Sequence, residues 1–510
     1  MNIYNTLTKT KERLIPRLRG AEARYGEAKA RHPSADSTDS TSSLQAGSSQ
    51  ASSGLGKIQM FVCGPTVYDY IHIGNARTFV FFDVVAKYLR SQGYEVDYIQ
   101  NITDIDDKII KRAQEAGQNP LDWAKEYRQK FEEDMKDLEV SSPRYIPATD
   151  HIKQVVGQVK KLIEKKHAYL IENDGYYFDL KTFPEYGKLS GRKSEMADDA
   201  VTRIDENDKK RNKGDFCLWK LVKIDKELEI GNSKFEIANG EPAWGSPLGW
   251  GRPGWHIEDT AITEHFFGPQ YDIHGGGQDL IFPHHEAEIT QQESASGKKP
   301  FVKYWMHVAF LINKDQKMSK SLGNFETVNE LLKKYPKEVL RFYLLSSYYR
   351  SPLDYSDMMF KQSRVAISRI AEFVQKLEKI NGADNKTADQ HIKEAKKKFV
   401  EAMDNDFNTP EAFASLFELI RNLNPLIVSN ELGKEQVKNL TKLLTEIDEI
   451  LGVIPEEKQK TPQEVEELVE KREKLRQDKH YAESDEVRSE IEKLGFQIED
   501  TMYGPVINRK

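Results

Sequence analysis

Phe61–Arg77 reads F-V-C-G-P-T-V-Y-D-Y-I-H-I-G-N-A-R, and the fold of the chain is organised around this stretch. Ile58–Val62 carries no charge and is rich in β-branched and aromatic residues, which predicts a short buried strand. After Arg77, apolar residues recur at helical spacing. They are Phe79, Val80, Phe81, Val84, Val85, Tyr88 and Leu89. The stretch therefore predicts a strand, a loop and a helix.

The loop ends in His72-Ile-Gly-Asn75 at the predicted start of the helix. A helix N-terminus has unpaired N–H groups and the positive end of the helix dipole, so it suits a phosphate. Gly74 has no Cβ, which lets a planar base or a ribose lie close to the backbone. A histidine before a glycine in a loop is more often structural, and that alternative applies to His72 as well.

Further motifs follow in order along the chain. They are C-G-P-T-V-Y-D from Cys63, G-R-P-G-W-H-I-E from Gly251, F-P-H-H-E-A-E from Phe282, and K-M-S-K-S at Lys317–Ser321. The His-Ile-Gly-Asn and Lys-Met-Ser-Lys-Ser pair resembles the two signatures of class I aminoacyl-tRNA synthetases. The intervening motifs are similar to the cysteinyl-tRNA synthetase family in particular.

The resemblance implies an α/β fold with several domains. A Rossmann-like nucleotide-binding catalytic domain would be split by a connective insertion and followed by a helical bundle that reads the tRNA anticodon. The implied ranges are 1–120 and 214–327 for the two catalytic halves, 121–213 for the insertion, 328–455 for the bundle and 464–510 for a small C-terminal domain. A linker is expected at Pro455–Gln463.

Composition limits the class of protein. The 510 residues are 38% hydrophobic, enough for several cores. No apolar run approaches 18 residues and the N-terminus lacks an apolar signal core, so we expect a cytoplasmic chain with no transmembrane helix. Two cysteines cannot make a disulfide framework. The net charge of −7 does not favour general nucleic-acid binding, but local basic patches decide phosphate contacts.

Residues 18–56 are expected to be an insertion, since the family joins its first two strands by a short connection. Ser34–Ser53 contains nine serines among small and polar residues. Such a segment buries almost nothing and predicts an exposed or disordered spacer, with a binding element as the alternative. Before it, residues 1–15 are expected to form a first strand.

Strands and turns alternate through the predicted catalytic halves. Tyr98–Ile102 predicts a second buried strand, and the acidic run that follows it suggests a polar helix start or, alternatively, a metal site. That run is Asp104, Asp106 and Asp107. Tyr271–His274 predicts a parallel strand, Gly275–Gly277 a ligand-contacting loop at its end, and Glu286–Gln292 the start of a helix. Cys217 lies between Phe216 and Leu218, which favours core packing over chemistry.

Helical periodicity dominates elsewhere. It predicts helix from Pro120 to about Lys166, an irregular stretch from Ala168 to Lys220, and helices near 360–380, 388–404, 410–430 and 434–452. Residues 464–497 are charge-dense, and their basic residues predict a solvated helix face. These are Lys471, Arg472, Lys474, Arg476 and Lys479.

The resemblance places a zinc ion on Cys63, Asp259, His284 and Glu288. Asp259 stands where the family pattern has cysteine. Because one anion replaces another, and zinc accepts carboxylate oxygen as well as thiolate, our hypothesis is that the site is kept. The alternative is that Asp259 marks a lost site. Apolar pockets separate cysteine from serine by only about 100-fold, whereas a zinc ion favours a thiolate over a hydroxyl.

The remaining site residues are carried over by resemblance. ATP would contact Pro65, His72, Gly74, Asn75, Gly275, Gly276 and Lys320. Cysteine would contact Gly64, Thr66, Thr103, Trp255, His256 and Asp279, with His274 and His285 nearby. The catalytic groups would be His72, Asn75, Lys317 and Lys320, and the hydroxyls of Ser319 and Ser321 would support the mobile loop.

The implied reaction activates L-cysteine with ATP and Mg²⁺ to cysteinyl-adenylate and then transfers it to tRNA(Cys). No nucleophilic side chain is needed, because the protein positions the substrates and neutralises charge. The resemblance leans toward a monomer. Two other functions stay open: ligation of cysteine to an amino-sugar acceptor, and non-catalytic binding of tRNA or a nucleotide.

Overall fold

The computed structural model describes residues 1–17, 56–192, 207–224, 235–238, 240–313, 316–317, 326–378, 380, 382–455, 462–501 and 504–509. The predicted insertion, apart from Gly56, and Met318–Phe325 lie outside the described residues. The chain forms two compact units, Met1–Val453 and Ile454–Lys510.

The described strands, in chain order, are β1 (Asn2–Asn5), β2 (Thr10–Arg13), β3 (Lys57–Val62), β4 (Glu95–Ile102), β5 (Arg144–Pro147), β6 (Ala168–Ile171), β7 (Gly175–Phe178), β8 (Cys217–Leu221), β9 (Phe235–Ala238), β10 (Glu241–Trp244), β11 (Gly251–Pro253), β12 (Tyr271–Gly277), β13 (Val302–Val308), β14 (Leu311–Asn313), β15 (Gln316–Lys317), β16 (Leu353–Asp354), β17 (Phe496–Thr501) and β18 (Gly504–Arg509).

The described α-helices are α1 (Ile73–Ser91), α2 (Asp107–Glu115), α3 (Pro120–Asp137), α4 (Ile152–Glu164), α5 (Ile257–Phe267), α6 (Glu286–Ser296), α7 (Val328–Lys334), α8 (Lys337–Leu345), α9 (Asp357–Leu377), α10 (Lys386–Asp404), α11 (Thr409–Val428), α12 (Lys434–Leu451), α13 (Gln463–Gln477) and α14 (Tyr481–Lys493). Among them, none combines the length and apolar content needed to cross a membrane.

A five-stranded parallel sheet lies in the larger unit, with strand order β13-β12-β3-β4-β5. β3 is buried along all but its first residue, as expected of a parallel strand covered on both faces. α1 follows β3 and buries most of its length, including Phe79 and Val85. The carboxyl ends of β3, β4 and β12 therefore meet at one edge of the sheet, where ligands of open α/β sheets bind.

Several sequence expectations need correction. Residues 1–15 form a two-stranded hairpin rather than one strand, because the chain reverses at Lys9, whose φ is +57°. The predicted helix from Pro120 to Lys166 is two helices separated by β5, a strand too short to interrupt the helical pattern around it. Gly275–Gly277 belongs to β12 and pairs with β13, so it is extended strand rather than loop.

The expected connective insertion also differs at both ends. β5, at 144–147, belongs to the parallel sheet although it falls within 121–213. The stretch expected to be irregular supplies strands of a six-stranded antiparallel sheet with order β6-β7-β8-β11-β10-β9. That sheet continues to Pro253, past residue 213. Cys217 is buried and packed among Tyr169, Ile171 and Tyr177 in this sheet, as expected for a core residue.

The predicted C-terminal helices are present as α9 to α12. Asn408 caps α11 and Pro410 stands in its first turn, where proline is tolerated. The acidic run at 104–107 is the predicted polar helix start, because Asp106 caps α2 by accepting from the N–H of Lys108 at 2.8 Å.

The second unit consists of α13, α14 and the β17–β18 hairpin around a small apolar core. Its basic face is less uniform than expected. Arg472 is fully buried and donates to Glu473 at 2.7 Å, whereas Lys471 and Lys479 are exposed.

Candidate metal and nucleotide site

Four residues distant in sequence meet beyond the end of β3. Cys63 Sγ lies 3.4 Å from Asp259 Oδ2 and 3.7 Å from Glu288 Oε1. His284 Nε2 lies 2.9 Å from Asp259 Oδ2 and 3.1 Å from Glu288 Oε1. All four side chains are at most 5% exposed. These are the four residues that the sequence proposed as metal ligands, and we call them the metal cluster.

Local structure explains how they converge. Cys63 follows β3 directly, and its N–H donates to the carbonyl of Gly275 in β12 at 3.0 Å. Asp259 and Glu288 lie in the first turns of α5 and α6. Both carboxylates therefore sit at the positive end of a helix dipole, which stabilises negative charge there.

The donor atoms fit a tetrahedral ion. Zinc at its usual bond lengths separates oxygen or nitrogen ligands by about 3.3 Å and sulfur from oxygen by about 3.6 Å, close to the spacings in the metal cluster. Asp259 Oδ1 and Glu288 Oε2 are buried and have no hydrogen-bond partner among the described residues. Buried carboxylate oxygens left in this way are costly unless a cation accompanies them. The residues present therefore fit a divalent metal.

The protonation equilibria of the cluster point the same way. Burial, followed by the charges of Glu288 and Asp259, raises the pKa of the Cys63 thiol well above its usual range. Burial and the charge of Asp259 likewise raise the pKa of Glu288. Cys63, Asp259 and Glu288 can each carry a negative charge, and they lie together in one buried volume. A bound cation would favour the charged forms and would therefore lower the pKa of Cys63 and of Glu288.

The orientation of the His284 ring is fixed by contacts with His256 and Trp255. Its Nδ1 lies 2.8 Å from Nδ1 of His256, and its ring stacks on Trp255 at a centroid distance of 4.5 Å. Burial lowers the pKa of His256, which favours the neutral imidazole. With a metal ion on Nε2, the proton of His284 would be on Nδ1 and would be donated to His256. This is the supporting hydrogen bond that metal-binding histidines usually make.

A second group of donors shares two members with the first. His274 Nε2 and His285 Nε2 lie 3.3 and 3.1 Å from Cys63 Sγ, and the four atoms of Cys63, His274, His285 and Glu288 could also surround an ion. His285 Nε2 is 3.9 Å from Glu288 Oε1, so this group is looser than the metal cluster. Burial lowers the pKa of both imidazoles.

Three of the predicted amino-acid contacts, Gly64, Thr66 and Thr103, are linked to the chain segments that carry Cys63 and Asp259. The N–H of Thr103 donates to the carbonyl of Pro65, and Thr66 pairs with Thr103, both along the end of β4. Gly64 approaches so closely that a Cβ would lie 1.7 Å from the Asn101 carbonyl oxygen. The Thr103 hydroxyl donates to Glu258, the neighbour of Asp259. Burial raises the pKa of Glu258, with Asp259 as the next cause.

The start of α1 has the form the sequence predicted. His72 caps the helix, and its Nδ1 accepts from the N–H of Asn75 at 3.3 Å. A Cβ on Gly74 would lie 2.8 Å from that same Nδ1. The missing side chain of Gly74 therefore makes room for the His72 ring at the helix start.

The segment after the K-M-S-K-S motif returns to this helix start. His72 and Thr327 form an isolated antiparallel β-bridge, and the N–H of Ile73 donates to the Glu326 carbonyl at 3.2 Å. The backbone of Lys317 ends β15. Lys320, Ser319 and Ser321 lie outside the described residues.

The glycine-rich end of β12 has a packing explanation. A Cβ on Gly275 would lie 2.2 Å from the Phe82 ring, and one on Gly276 would lie 2.9 Å from Cε1 of His285. Both glycines therefore admit neighbouring rings. Asp279 follows in a short exposed turn, Gln278–Leu280.

Sequence reasoning assigned no role to three buried residues at this edge. His307 Nε2 lies 2.8 Å from Nδ1 of His285, Glu258 accepts from Thr103, and Arg77 donates to the Ala309 carbonyl at 2.9 Å and the Ser351 carbonyl at 2.8 Å. Glu258 and Arg77 lie within the quoted motifs, which could have identified them as site residues. No quoted motif contains His307, and its partner His285 is distant in sequence.

Comparison with known proteins gives two family matches. Residues 50–365 match tRNA synthetases class I (C) catalytic domain, and residues 398–455 match the DALR domain. A protein named Cysteine--tRNA ligase from Carboxydothermus hydrogenoformans is 42% identical over 99% of both chains. Proteins of the same name from Thermococcus gammatolerans and Clostridioides difficile are 43% identical over 89% of this chain and 95% of the relative, and 39% identical over 99% of both chains.

Solved structures share the fold at low identity. A ternary complex of a leucyl synthetase (LeuRS) from Agrobacterium radiobacter K84 with tRNA and LeuAMS gives a TM-score of 0.58, at 10% identity over 79% of this chain and 85% of that chain. Methionyl-tRNA synthetase from Mycobacterium tuberculosis, in complex with methionyl-adenylate, gives 0.52, at 14% identity over 78% and 90%.

Proposed function

This chain belongs to the cysteine–tRNA ligase family of class I synthetases, and we propose that it joins L-cysteine to tRNA(Cys) through a cysteinyl-adenylate, using an aspartate in its metal centre. The ligation consumes ATP and releases AMP and pyrophosphate. The metal cluster is the observation that supports this activity and this substrate most directly, because its buried sulfur, oxygen and nitrogen donors suit a thiol-selecting ion.

We propose zinc as that ion, held by Cys63, Asp259, His284 and Glu288. When bound, zinc supplies a Lewis acid that favours a thiolate ligand over an alcohol. A carboxylate at position 259 keeps the ligand charge of the usual set while offering a harder donor. His256 and Trp255 hold the His284 ring, and Thr103 and Asp279 are proposed to position the substrate amine.

Activation requires positioning rather than a nucleophilic side chain. The cysteine carboxylate attacks the α-phosphorus of ATP, which enters with Mg²⁺, and pyrophosphate leaves. His72 and the start of α1, where the positive end of the helix dipole lies, are proposed to bind the triphosphate, as helix N-termini do. Lys317 and Lys320 are proposed to hold the leaving pyrophosphate, whose charge grows as the bond breaks.

In the second step, a hydroxyl of the terminal adenosine of the tRNA attacks the cysteinyl carbonyl and AMP leaves. α9 to α12 and the C-terminal unit are proposed to place the tRNA, mainly through phosphate contacts, which position a nucleic acid without reading its sequence.

The test is a pair of assays on the full chain. We expect cysteine-dependent exchange of pyrophosphate into ATP, and charging of a tRNA(Cys) transcript. Exchange with no charging, but with ligation to an amino-sugar acceptor, would identify the other cysteine ligase. Absence of exchange alongside tRNA or nucleotide binding would identify a non-catalytic binder.

The metal is tested separately. Elemental analysis of the purified chain is expected to find one zinc per molecule, and chelation is expected to abolish exchange until zinc is restored. No stoichiometric zinc, together with full exchange activity, would show that Asp259 marks a lost site.

A further inference from the structure

Two chains of hydrogen bonds converge on the sulfur of Cys63, and each begins at a hydroxyl. In the shorter one, the Tyr271 hydroxyl lies 2.6 Å from Nδ1 of His274, whose Nε2 lies 3.3 Å from Sγ. In the longer one, the Thr6 hydroxyl lies 2.8 Å from Nδ1 of His307. His307 Nε2 lies 2.8 Å from Nδ1 of His285, whose Nε2 lies 3.1 Å from Sγ.

Thr6 is held in place by the backbone of the N-terminal hairpin. Its N–H donates to the Trp305 carbonyl at 2.8 Å, and the N–H of Trp305 donates to Asn5 Oδ1 at 3.1 Å. The Trp305 ring stacks on His274 at a centroid distance of 4.3 Å. The hairpin is therefore packed against β13. Thr6, at the start of its turn, contacts His307, the first imidazole of the longer chain that leads to Cys63.

The direction of these hydrogen bonds follows from the sulfur. A metal-bound thiolate can only accept, so the nitrogen that faces it must carry a proton. A neutral imidazole has one N–H, so proton-bearing Nε2 atoms on His274 and His285 leave both Nδ1 atoms as acceptors. Tyr271 then donates to His274, and His307 donates from Nε2 to His285. His307 Nδ1 becomes an acceptor, and Thr6 must donate to it.

This polarity satisfies all five hydrogen bonds of the two chains, although His274 Nδ1, left as an acceptor, also lies 3.5 Å from Glu288 Oε2. The reverse polarity would aim two unprotonated nitrogens at the sulfur, which a thiolate would repel. Burial lowers the pKa of His307 to about 3, consistent with a neutral ring that relays rather than stores charge. The hydroxyl at the far end of each chain therefore completes the polarity that the sulfur requires, by donating to the Nδ1 atom that carries no proton.

We propose that Thr6 is a positioning residue of the metal centre: its hydroxyl fixes, through His307 and His285, the N–H that faces the sulfur of Cys63. The inference rests on the proposed zinc centre. Three anionic ligands around one dication leave a net negative site, which disfavours a further anion, the substrate thiolate. N–H groups aimed at Cys63 reduce that negative potential and so favour cysteine binding.

Two substitutions separate the hydroxyl from the shape of the side chain. Thr6→Val keeps the branched shape and loses the hydroxyl, whereas Thr6→Ser keeps the hydroxyl. Supporting hydrogen bonds of metal ligands typically contribute about 10- to 100-fold, and for a residue two imidazoles removed we expect about 3- to 10-fold. Thr6→Val should raise KM for cysteine by that factor in the exchange assay with little change in kcat, and Thr6→Ser should match the unaltered protein.

The decisive readouts are spectroscopic and use the full chain. With ¹⁵N-labelled histidine, NMR is expected to show His307 protonated on Nε2 in the unaltered protein and in Thr6→Ser, and a changed tautomer distribution in Thr6→Val. In the cobalt(II)-substituted protein, the thiolate-to-cobalt charge-transfer band should move to lower energy in Thr6→Val and stay in place in Thr6→Ser. Tyr271→Phe should produce the same shift through His274.

Three results would overturn the proposal. The first is His307 protonated on Nδ1 in the unaltered protein. The second is an unchanged cobalt band and His307 tautomer in Thr6→Val. The third is an X-ray absorption spectrum of the zinc protein that counts two imidazole ligands, since the ion would then bind His274 and His285 directly. A chain that binds neither zinc nor cobalt would instead refute the zinc centre of the proposed function, and with it the role of Thr6 there.

Discussion

His284 Nε2 lies 2.9 Å from Asp259 Oδ2, so an oxygen lies where the family resemblance led us to expect a sulfur. The contact joins the first turn of α5 to the turn that opens α6, and both residues are buried. Position 259 thus remains within reach of the other three donors although its chemistry has changed.

This contact predicts that Asp259→Ala lowers zinc affinity by about 100-fold or more, since loss of a ligand should exceed the roughly 10- to 100-fold effect of a supporting residue. Asp259→Cys should keep one zinc per chain and resist chelators better, because thiolate is the softer donor. Zinc release to a chromogenic chelator measures both. Glu264→Gln, on the same helix and outside the cluster, is the control. Equal release from Asp259→Ala and the control would remove Asp259 from the metal site.

Gly74 is predicted to tolerate no side chain. In Gly74→Ala the new Cβ would lie 2.8 Å from Nδ1 of His72, so the ring must leave the N-cap of α1. We expect a loss of about 1 kcal/mol in unfolding free energy for the cap and at least a tenfold fall in the exchange rate. Denaturant unfolding and the exchange assay measure the two effects.

Gly157→Ala is the matched control for that variant. A Cβ at Gly157, inside α4, meets nothing within 4 Å, so it should stabilise the chain by roughly 0.5–1 kcal/mol through helix propensity. If Gly74→Ala behaves like Gly157→Ala in both assays, the His72 ring has no role at the helix start.

Lys320 lies outside the described residues, and its prediction depends on the motif. Lys320→Ala should slow adenylate formation by about 10²- to 10³-fold, because the charge on the leaving pyrophosphate loses a partner, while cysteine affinity changes little. Pre-steady-state exchange separates rate from affinity. Lys333→Ala, an exposed lysine on α7, is the control. Unchanged turnover in Lys320→Ala would exclude this lysine from the mechanism.

Replacement of Asp134 by asparagine is predicted to raise the free energy of unfolding in a pH-dependent way. Its carboxyl is buried in α3, and burial raises its pKa from 3.8 to about 6. A raised pKa means that the folded state keeps this proton to higher pH than the unfolded state does. The destabilising contribution of Asp134 to the free energy of unfolding is therefore absent below the unfolded pKa, grows as pH rises, and is complete above about pH 6.

Asp134→Asn should therefore raise the free energy of unfolding by about 1–2 kcal/mol at pH 7.5, with a gain that shrinks toward zero near pH 4. Chemical denaturation across that range measures it, with the exposed Glu133→Gln on the same helix as control. A gain that is independent of pH would show that ionisation of Asp134 is not its cause.

The long helices were predictable from sequence because their pattern is local. α9, α10, α11 and α12 begin and end within a few residues of the predicted spans, since a 3.6-residue apolar period marks one buried face wherever that face packs. β5 was not predictable in this way. Four residues offer too few positions to show a period of two between two amphipathic helices.

The glycines of β12 show how packing decides the state of a segment. Three consecutive glycines favour a turn by intrinsic preference, yet they extend as a strand here because β13 supplies ladder partners. Phe82 and His285 occupy the space that side chains would need at Gly275 and Gly276. The sequence predicted that these glycines lie at the end of the strand. It did not predict that neighbouring rings are the reason for glycine there.

The sequence by itself determined the order of strand, loop and helix around Cys63, the family of the chain and the identity of the four candidate ligands, because residue chemistry and local period are written along the chain. Only the tertiary structure decided that Cys63 meets Asp259 across 196 positions of sequence and that Thr6 reaches the imidazoles behind the sulfur. Both depend on the register of parallel strands and on shared burial, which arise from contacts between segments that no local pattern records.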